Sequence, residues 1–506
     1  MWPRRIVVVG GGTAGWLAAM MLGDAARRGK HACDVTVIES SKIGTIGVGE
    51  GTTAAFRIML QAFGIDEMEF LRESGGSIKL GICHRDWRRL GHQYHGPIDD
   101  PHRVAGLPPG ANNPLDQYWV SQGKSVGSGH LFQHLIDRDA SPYARQGDKQ
   151  IQVGPFHHAF HFDQALAGKF LRSKAKGVQV IDDQVAALQR DGLTGDIQAL
   201  MLDSGMPVEG DLFIDATGFR RRLIGDLGAV WKSFRDILPL NRAMPFWLDI
   251  PDGDEIPPVT LAWAQKAGWM WKIPTQGRYG CGYVYSDAHI TPDQAKAEIE
   301  AALGHKIEVR NDIKIDAGRQ DRAWIGNCVA LGLSSSFVEP LEATSIHGSV
   351  VQLMLLCSLL AEPNDRARTA YNGVVGQQVD DFADFIRLHY VTERRDSAFW
   401  RDIASSHPPQ VTDKLAHWAG SVPQASDFRP MPMDLPHVTH ELHIPVLDGL
   451  GLLDKAKAGA YLAARPDLRA KARKASLGLE SEYRLASTKA LSHRVFLDSF
   501  RAPALP

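Results

Sequence analysis

The feature that most constrains this chain is Gly10-Gly11-Gly12-Thr13-Ala14-Gly15, set between the apolar run Ile6-Val7-Val8-Val9 and a helical stretch from about Thr13 to Arg28. A short continuous apolar run reads as a strand buried on both faces, as in a parallel sheet. The glycines fit G-x-G-x-x-G. Gly10 allows the tight turn, Gly12 lets the backbone approach a pyrophosphate, and Gly15 lets helix and strand pack closely. The N–H groups at the helix start, at Thr13 and Ala14, then face the phosphates. A second strand, Val35-Thr36-Val37-Ile38, ends at Glu39. A carboxylate there suits a ribose diol and disfavours a 2′-phosphate. The opening is therefore a βαβ unit, and this context favours a dinucleotide over a plain glycine turn.

With 506 residues, 44 % of them hydrophobic and 23 % charged, the chain can build a core large enough to enclose such a cofactor. Length alone allows several domains or one fused unit. A net charge of −2 gives no reason to expect a nucleic-acid or membrane-surface partner. No run reaches the roughly 18 apolar residues of a spanning helix. The strand at Ile6 leaves no room for a signal peptide before it. Cys33, Cys83, Cys281, Cys328 and Cys357 are scattered, without C-x-x-C spacing. They read as reduced thiols, and the expected location is cytoplasmic.

Further along, the Pro-, Gly- and Asp-rich stretch from about 91 to 129 predicts long irregular structure, such as a lid. His161 to Lys174 predicts a helix. Asp211 to Ile214 predicts a strand running into Asp215-Ala216-Thr217-Gly218. Trp269 to Pro274 and Tyr279 to Tyr285 alternate like strands, and Thr344 to Ala361 reads as an apolar helix. The remainder reads as mainly helical, with Pro-rich loops near 422–445.

Asp215 to Gly218 resembles the second cofactor-contacting segment of FAD-dependent, monooxygenase-type proteins. Gly326-Asn327-Cys328 through Gly332 resembles their flavin-facing strand and turn. Three such segments favour FAD over NAD. No second glycine fingerprint serves NAD(P)H, so reduced flavin (FADH2) is expected from a separate flavin reductase.

Other segments make the resemblance more specific. Trp269-Met270-Trp271-Lys272-Ile273-Pro274 matches the W-x-W-x-I-P signature of the flavin-dependent halogenases, best known from the tryptophan halogenases. Gly47-Val48-Gly49-Glu50-Gly51-Thr52 resembles their flavin-covering strap. Ser77-Ile78-Lys79-Leu80-Gly81-Ile82 resembles the segment of their catalytic lysine. Phe337-Val338-Glu339-Pro340-Leu341-Glu342-Ala343-Thr344 resembles that of their catalytic glutamate and halide site.

The resemblance implies an α/β fold. An FAD-binding Rossmann-like core of the flavin monooxygenase type would span 1–350, with inserted substrate-side segments near 80–150 and 240–300. A mainly helical substrate-binding module, 351–506, would be fused to it. The implied chemistry joins reduced FAD, O2 and chloride or bromide into hypohalous acid. Lys79 would hold the electrophilic halogen, and Glu342 would take the ring proton. The N–H groups of Thr344 and Ser345 would bind the halide, although Ala343-Thr344-Ser345 replaces the family's Ser-Thr-Gly and serine restricts the backbone. Trp269 and Trp271 would wall the flavin from the substrate. His95 would stack on the ring, with Pro97 standing where the family has an aromatic.

Read without the resemblance, the same residues have plainer roles. Lys79 alternates with Ile78 and Leu80, as a solvated strand lysine would. Glu342 could cap the helix behind it, and the tryptophans could be core. His157, His158 and His161 lack a convincing ligand set, so no metal is expected. Rival functions are a flavin aromatic hydroxylase and a non-catalytic flavin-binding protein.

For the substrate, the stretch 436–445 stands where tryptophan halogenases carry paired tyrosines and an acid. Here it has Glu441 but no tyrosine pair. A zwitterion needs partners for both charges. That favours a free electron-rich aromatic such as indole over tryptophan or a carrier-bound ring. The resemblance also implies a homodimer.

Overall fold

The computed structural model describes residues 1–500 except 45–48, 106, 108–112 and 420. The strap residues Gly47 and Val48 therefore lie outside the described residues.

A six-stranded sheet runs in the order Val178–Asp182, Asp34–Glu39, Arg5–Val9, Leu212–Asp215, Cys328–Ala330, Trp324–Ile325. Its pairs are parallel except the last. Val7 and Val8 are fully buried, as a sheet covered on both faces requires. The helix Thr13–Arg28 buries most of its length, because Trp16, Leu17, Ala18 and Ala19 offer apolar surface on nearly every side. This is the expected Rossmann-like layer, and the first and second cofactor segments meet on it where Val9 pairs with Asp215.

A seven-stranded sheet forms the second layer: Ile313–Lys314, Arg242–Asp249, Arg278–Tyr285, Gly268–Pro274, Val259–Ala264, Gly81–Arg85, Gln93–Pro97. A small third sheet joins Gly49–Gly51, Ala159–Asp163 and Ser77–Lys79. From Thr344 onward the elements are helices, apart from the short strand Ala490–Ser492. The helix Thr344–Leu359 carries the chain across position 350 without a break. Among the described residues, no helix is long and apolar enough to cross a membrane.

Three expectations on secondary structure need correction. The 91–129 stretch is not simply irregular: it holds the strand Gln93–Pro97, which pairs with Gly81–Arg85, and the helices Pro101–Val104 and Pro114–Ser121. The helix expected from His161 begins at Gln164. Asp163 caps it by accepting hydrogen bonds from the Ala165 and Leu166 N–H groups, and His161 sits in the strand before it. The late stretch 436–445 is partly helical, within His440–Gly449.

Candidate active site

The glycine turn is shaped for a pyrophosphate. Gly10 has φ +119°, which a side chain would strain. A Cβ on Gly15 would come within 1.8 Å of the Gly10 carbonyl oxygen, so only glycine lets the helix pack there. At Gly12, by contrast, a Cβ would meet nothing within 4 Å. No side chain caps the helix, and the Thr13 hydroxyl is buried without a partner. An open glycine face, an uncapped helix start and an orphan hydroxyl fit an anionic group. The Glu39 carboxylate lies against Gly11 and is ion-paired with Arg172.

Asp215 ends the strand Leu212–Asp215. Its carboxylate is fully buried and accepts from Thr217, Leu223, Ile224 and Ser334. The side chain thus organises its own turn. Gly332, at φ +62°, follows the strand beside it.

Lys79 is not a solvated strand lysine. The chain changes sheets at Leu80: Ser77–Lys79 pairs with Ala159–Asp163, whereas Gly81–Arg85 pairs with Val259–Ala264 and Gln93–Pro97. Alternation therefore does not carry through, and Lys79 is 2 % exposed. Its Nζ donates to the Thr52 carbonyl at 3.2 Å. A Cβ on Gly51 would sit 3.3 Å from that nitrogen, so the strap passes directly over the lysine. Gly49 starts this strap strand. Burial pushes the amine down to about 8, opposed by the charge of Glu342.

Glu342 is not a helix cap. Ala343 intervenes in the left-handed conformation, and no side chain caps the helix. Instead, Glu342 Oε1 receives His389 Nε2 at 2.9 Å and lies 3.3 Å from His84 Nε2. Burial alone would raise this carboxylate. The His389 and His84 contacts outweigh it and hold Glu342 well below the ordinary range. Burial takes His84 down to about 4. The uncapped helix start leaves the Thr344 and Ser345 N–H groups available to an anion. These residues line one cavity with Gly332, Ser336 and Gly348.

Trp269 and Trp271 project from one face of their strand into the same core, with ring centroids 6.3 Å apart. Trp269 Nε1 donates to Glu339 Oε2, as does the Tyr390 hydroxyl. His95 lies beside Gln133, with its Nδ1 3.1 Å from the amide nitrogen, and the buried Pro97 pairs with Gly81. His158 faces Glu67, and His161 contacts Ser77 and Thr260, so these two rings have separate partners. Among the described residues, one set of donors is compact enough for a metal: His84, Glu342 and His389, within 4.8 Å of one another. Its closest pair is already hydrogen-bonded, and an ion would have to break that bond.

Sequence reading missed His84, His389, Glu339 and Tyr390. Glu339 was visible as an acid inside a matched segment, and His84 as a polar residue two positions beyond another. Nothing local marked His389.

The structure thus holds a glycine turn shaped for an anionic group, a buried lysine under its strap and a glutamate beside an uncapped helix start. The tryptophan halogenase family model matches residues 5–441. The chain is 32 % identical over 497 residues to the tryptophan 6-halogenase SttH of Streptomyces toxytricini, covering 92 % of each protein. It is 34 % identical over 424 residues to the tryptophan 7-halogenase RebH of Lentzea aerocolonigenes, covering 78 % of each. The crystal structure of SttH superposes with a TM-score of 0.88 at 28 % identity, over 99 % of this chain and 100 % of that one. BrvH, a flavin-dependent halogenase from Brevundimonas, superposes with a TM-score of 0.83 at 29 % identity, over 99 % of both chains. The chain belongs to the tryptophan halogenase family and is a flavin-dependent halogenase of aromatic rings.

Proposed function

We propose that this enzyme receives FADH2 from a separate reductase and uses O2 with chloride or bromide to halogenate a free electron-rich aromatic such as indole. The observation that carries the mechanism is the buried Lys79 amine lying in the field of Glu342. Bound reduced FAD supplies the electrons that convert O2, halide and a proton into hypohalous acid and water. Gly10, Gly12, Gly15 and the Thr13–Ala14 backbone would hold its pyrophosphate, and Glu39 its ribose. Thr344 and Ser345 would hold the halide at the helix start. Lys79 positions the halogen, the ring carbon bonds to it as the halogen–oxygen bond breaks, and Glu342 takes the ring proton. Trp269 and Trp271 wall off the ring from the flavin. Five free thiols suit a reducing compartment, and we place the enzyme in the cytoplasm.

For the substrate, what supports indole over tryptophan is the packing of the 436–445 stretch. His437 contacts Asp381, His443 packs on Phe385, and the Pro436 carbonyl faces His347. These three contacts engage groups of the stretch within the protein, while Nδ1 of His437 and of His440 is buried without a protein partner. Tryptophan is the alternative, because SttH and RebH are named for it. The test is kcat/KM for indole against L-tryptophan, with FAD, a flavin reductase and bromide, followed by mass spectrometry. Brominated indole as the preferred product supports the proposal, and a clear preference for tryptophan overturns it.

A further inference from the structure

We propose that His389, with His84, forms a two-histidine clamp that positions the ionised Glu342, so that the carboxylate's other oxygen faces the reacting ring. The inference rests on the reading of Glu342 as the group that takes the ring proton.

The argument begins with donors and acceptors. His389 Nδ1 lies 3.0 Å from the Phe385 carbonyl, one turn back on the same helix. A carbonyl only accepts, so Nδ1 carries a hydrogen. Nε2 of the same ring lies 2.9 Å from Glu342 Oε1. A carboxylate and a bare ring nitrogen would repel at that distance, so one further proton lies between them. It is donated to Oε1, and the carboxylate, held well below its ordinary range, stays ionised.

His84 approaches the same oxygen from a different element. It is fully buried in the strand Gly81–Arg85 and stacked on Tyr94 at 4.6 Å and 11°. Its Nε2 is 3.3 Å from Oε1, and its ring centroid is 5.0 Å from that of His389. His389 hydrogen-bonds Oε1, and His84 Nε2 closes on the same oxygen at 3.3 Å. A carboxylate gripped at one oxygen can swing only about that contact, which aims the second oxygen. The other titratable groups around the clamp are Lys79 and Tyr94 near Glu342, His95 near His84, and Glu339 and His443 near His389.

In the step served by the clamp, the ring carbon forms its bond to the halogen as the halogen–oxygen bond of hypohalous acid breaks. The ring C–H bond then breaks, its electron pair returning to the ring and its proton passing to Glu342. The departing hydroxide takes its proton from the Lys79 ammonium and leaves as water, and the proton on Glu342 then restores that ammonium. With Glu342 well aimed, proton loss is fast and halogen attack limits the rate. With Glu342 loose, proton loss becomes limiting.

The experiment compares His389→Leu, His389→Gln and Glu342→Gln with the wild-type enzyme, using indole and L-tryptophan, each with and without deuterium at the ring carbons. Wild type should show a ratio kH/kD near 1. His389→Leu should lower kcat by about 10²-fold, the scale of a lost acid–base contact. Its kH/kD should rise to at least about 2, while FAD affinity and hypohalous-acid formation stay within about twofold. His389→Gln still donates to Oε1 and should recover most of the rate without the isotope effect. An unchanged kcat in His389→Leu overturns the clamp. So does a slowed variant whose kH/kD stays near 1, or one whose FAD affinity falls in step with the rate. If the leucine variant does not fold, the shorter His389→Asn takes its place with the same expectations. Normal rates in Glu342→Gln would instead overturn the reading of Glu342 on which the clamp rests.

Discussion

Trp269 Nε1 donates to Glu339 Oε2 at 3.0 Å, and this bond ties the strand of Trp269 and Trp271 to the segment that carries Glu342. The Tyr390 hydroxyl donates to the same oxygen at 2.5 Å. Glu339 is fully buried. That strand, the glutamate segment and the helix Asp365–Leu388, which leads into Tyr390, are thus joined through one acid.

Burial pushes Glu339 up to about 7, against the donors Tyr390 and Trp269. Between the ordinary carboxylate range and about pH 7, the folded protein then holds a proton that the unfolded chain has released. Stability should fall as pH rises through that window, by roughly 3 kcal/mol. Glu339→Gln keeps an acceptor for both donors and removes the titration. Urea unfolding at pH 5 and pH 7.5 should show a smaller difference in the variant than in wild type. Equal differences would refute this.

Lys79→Ala should abolish halogenation while FAD still binds and hypohalous acid still forms. Because burial brings the amine to about 8, the neutral fraction rises steeply through that pH and levels only above about pH 9. If the amine itself takes up the halogen, ring substitution should follow the same curve. The measurement is bromination in the presence of a hypohalous-acid scavenger, from pH 6 to 9. Near wild-type bromination by the alanine variant would remove Lys79 from the mechanism.

Glu342→Gln preserves shape and removes charge. It should slow ring substitution by about 10²–10⁴-fold. A buried acid held well below its ordinary range stays ionised across the working pH, so no acid limb should appear from Glu342 in the wild-type kcat profile. Single-turnover rates with preformed hypohalous acid test both points.

Bromide should serve at least as well as chloride. It is more weakly hydrated and easier to oxidise, and Ser345 stands where the family has a close-approach glycine. Competition at equal halide concentrations, read by product mass, checks this. Only chlorinated product would contradict it.

The sequence by itself determined the cofactor layer and the family. The turn at Gly10–Gly15 and the acid at Glu39 sit within one βαβ unit, where spacing along the chain fixes spacing in space. The same holds for Trp269 and Trp271, two residues apart on one strand. Tertiary structure decided the rest of the site. Lys79 is buried because the chain switches sheets at Leu80, which alternation cannot show. Asp215 is consumed by N–H groups from a turn that only closes in the fold. Glu342 meets His389 across 47 residues and meets His84 from another sheet. Such meetings depend on how the sheets and the later helices pack, and periodicity records only which face of an element is apolar, not what lies opposite it.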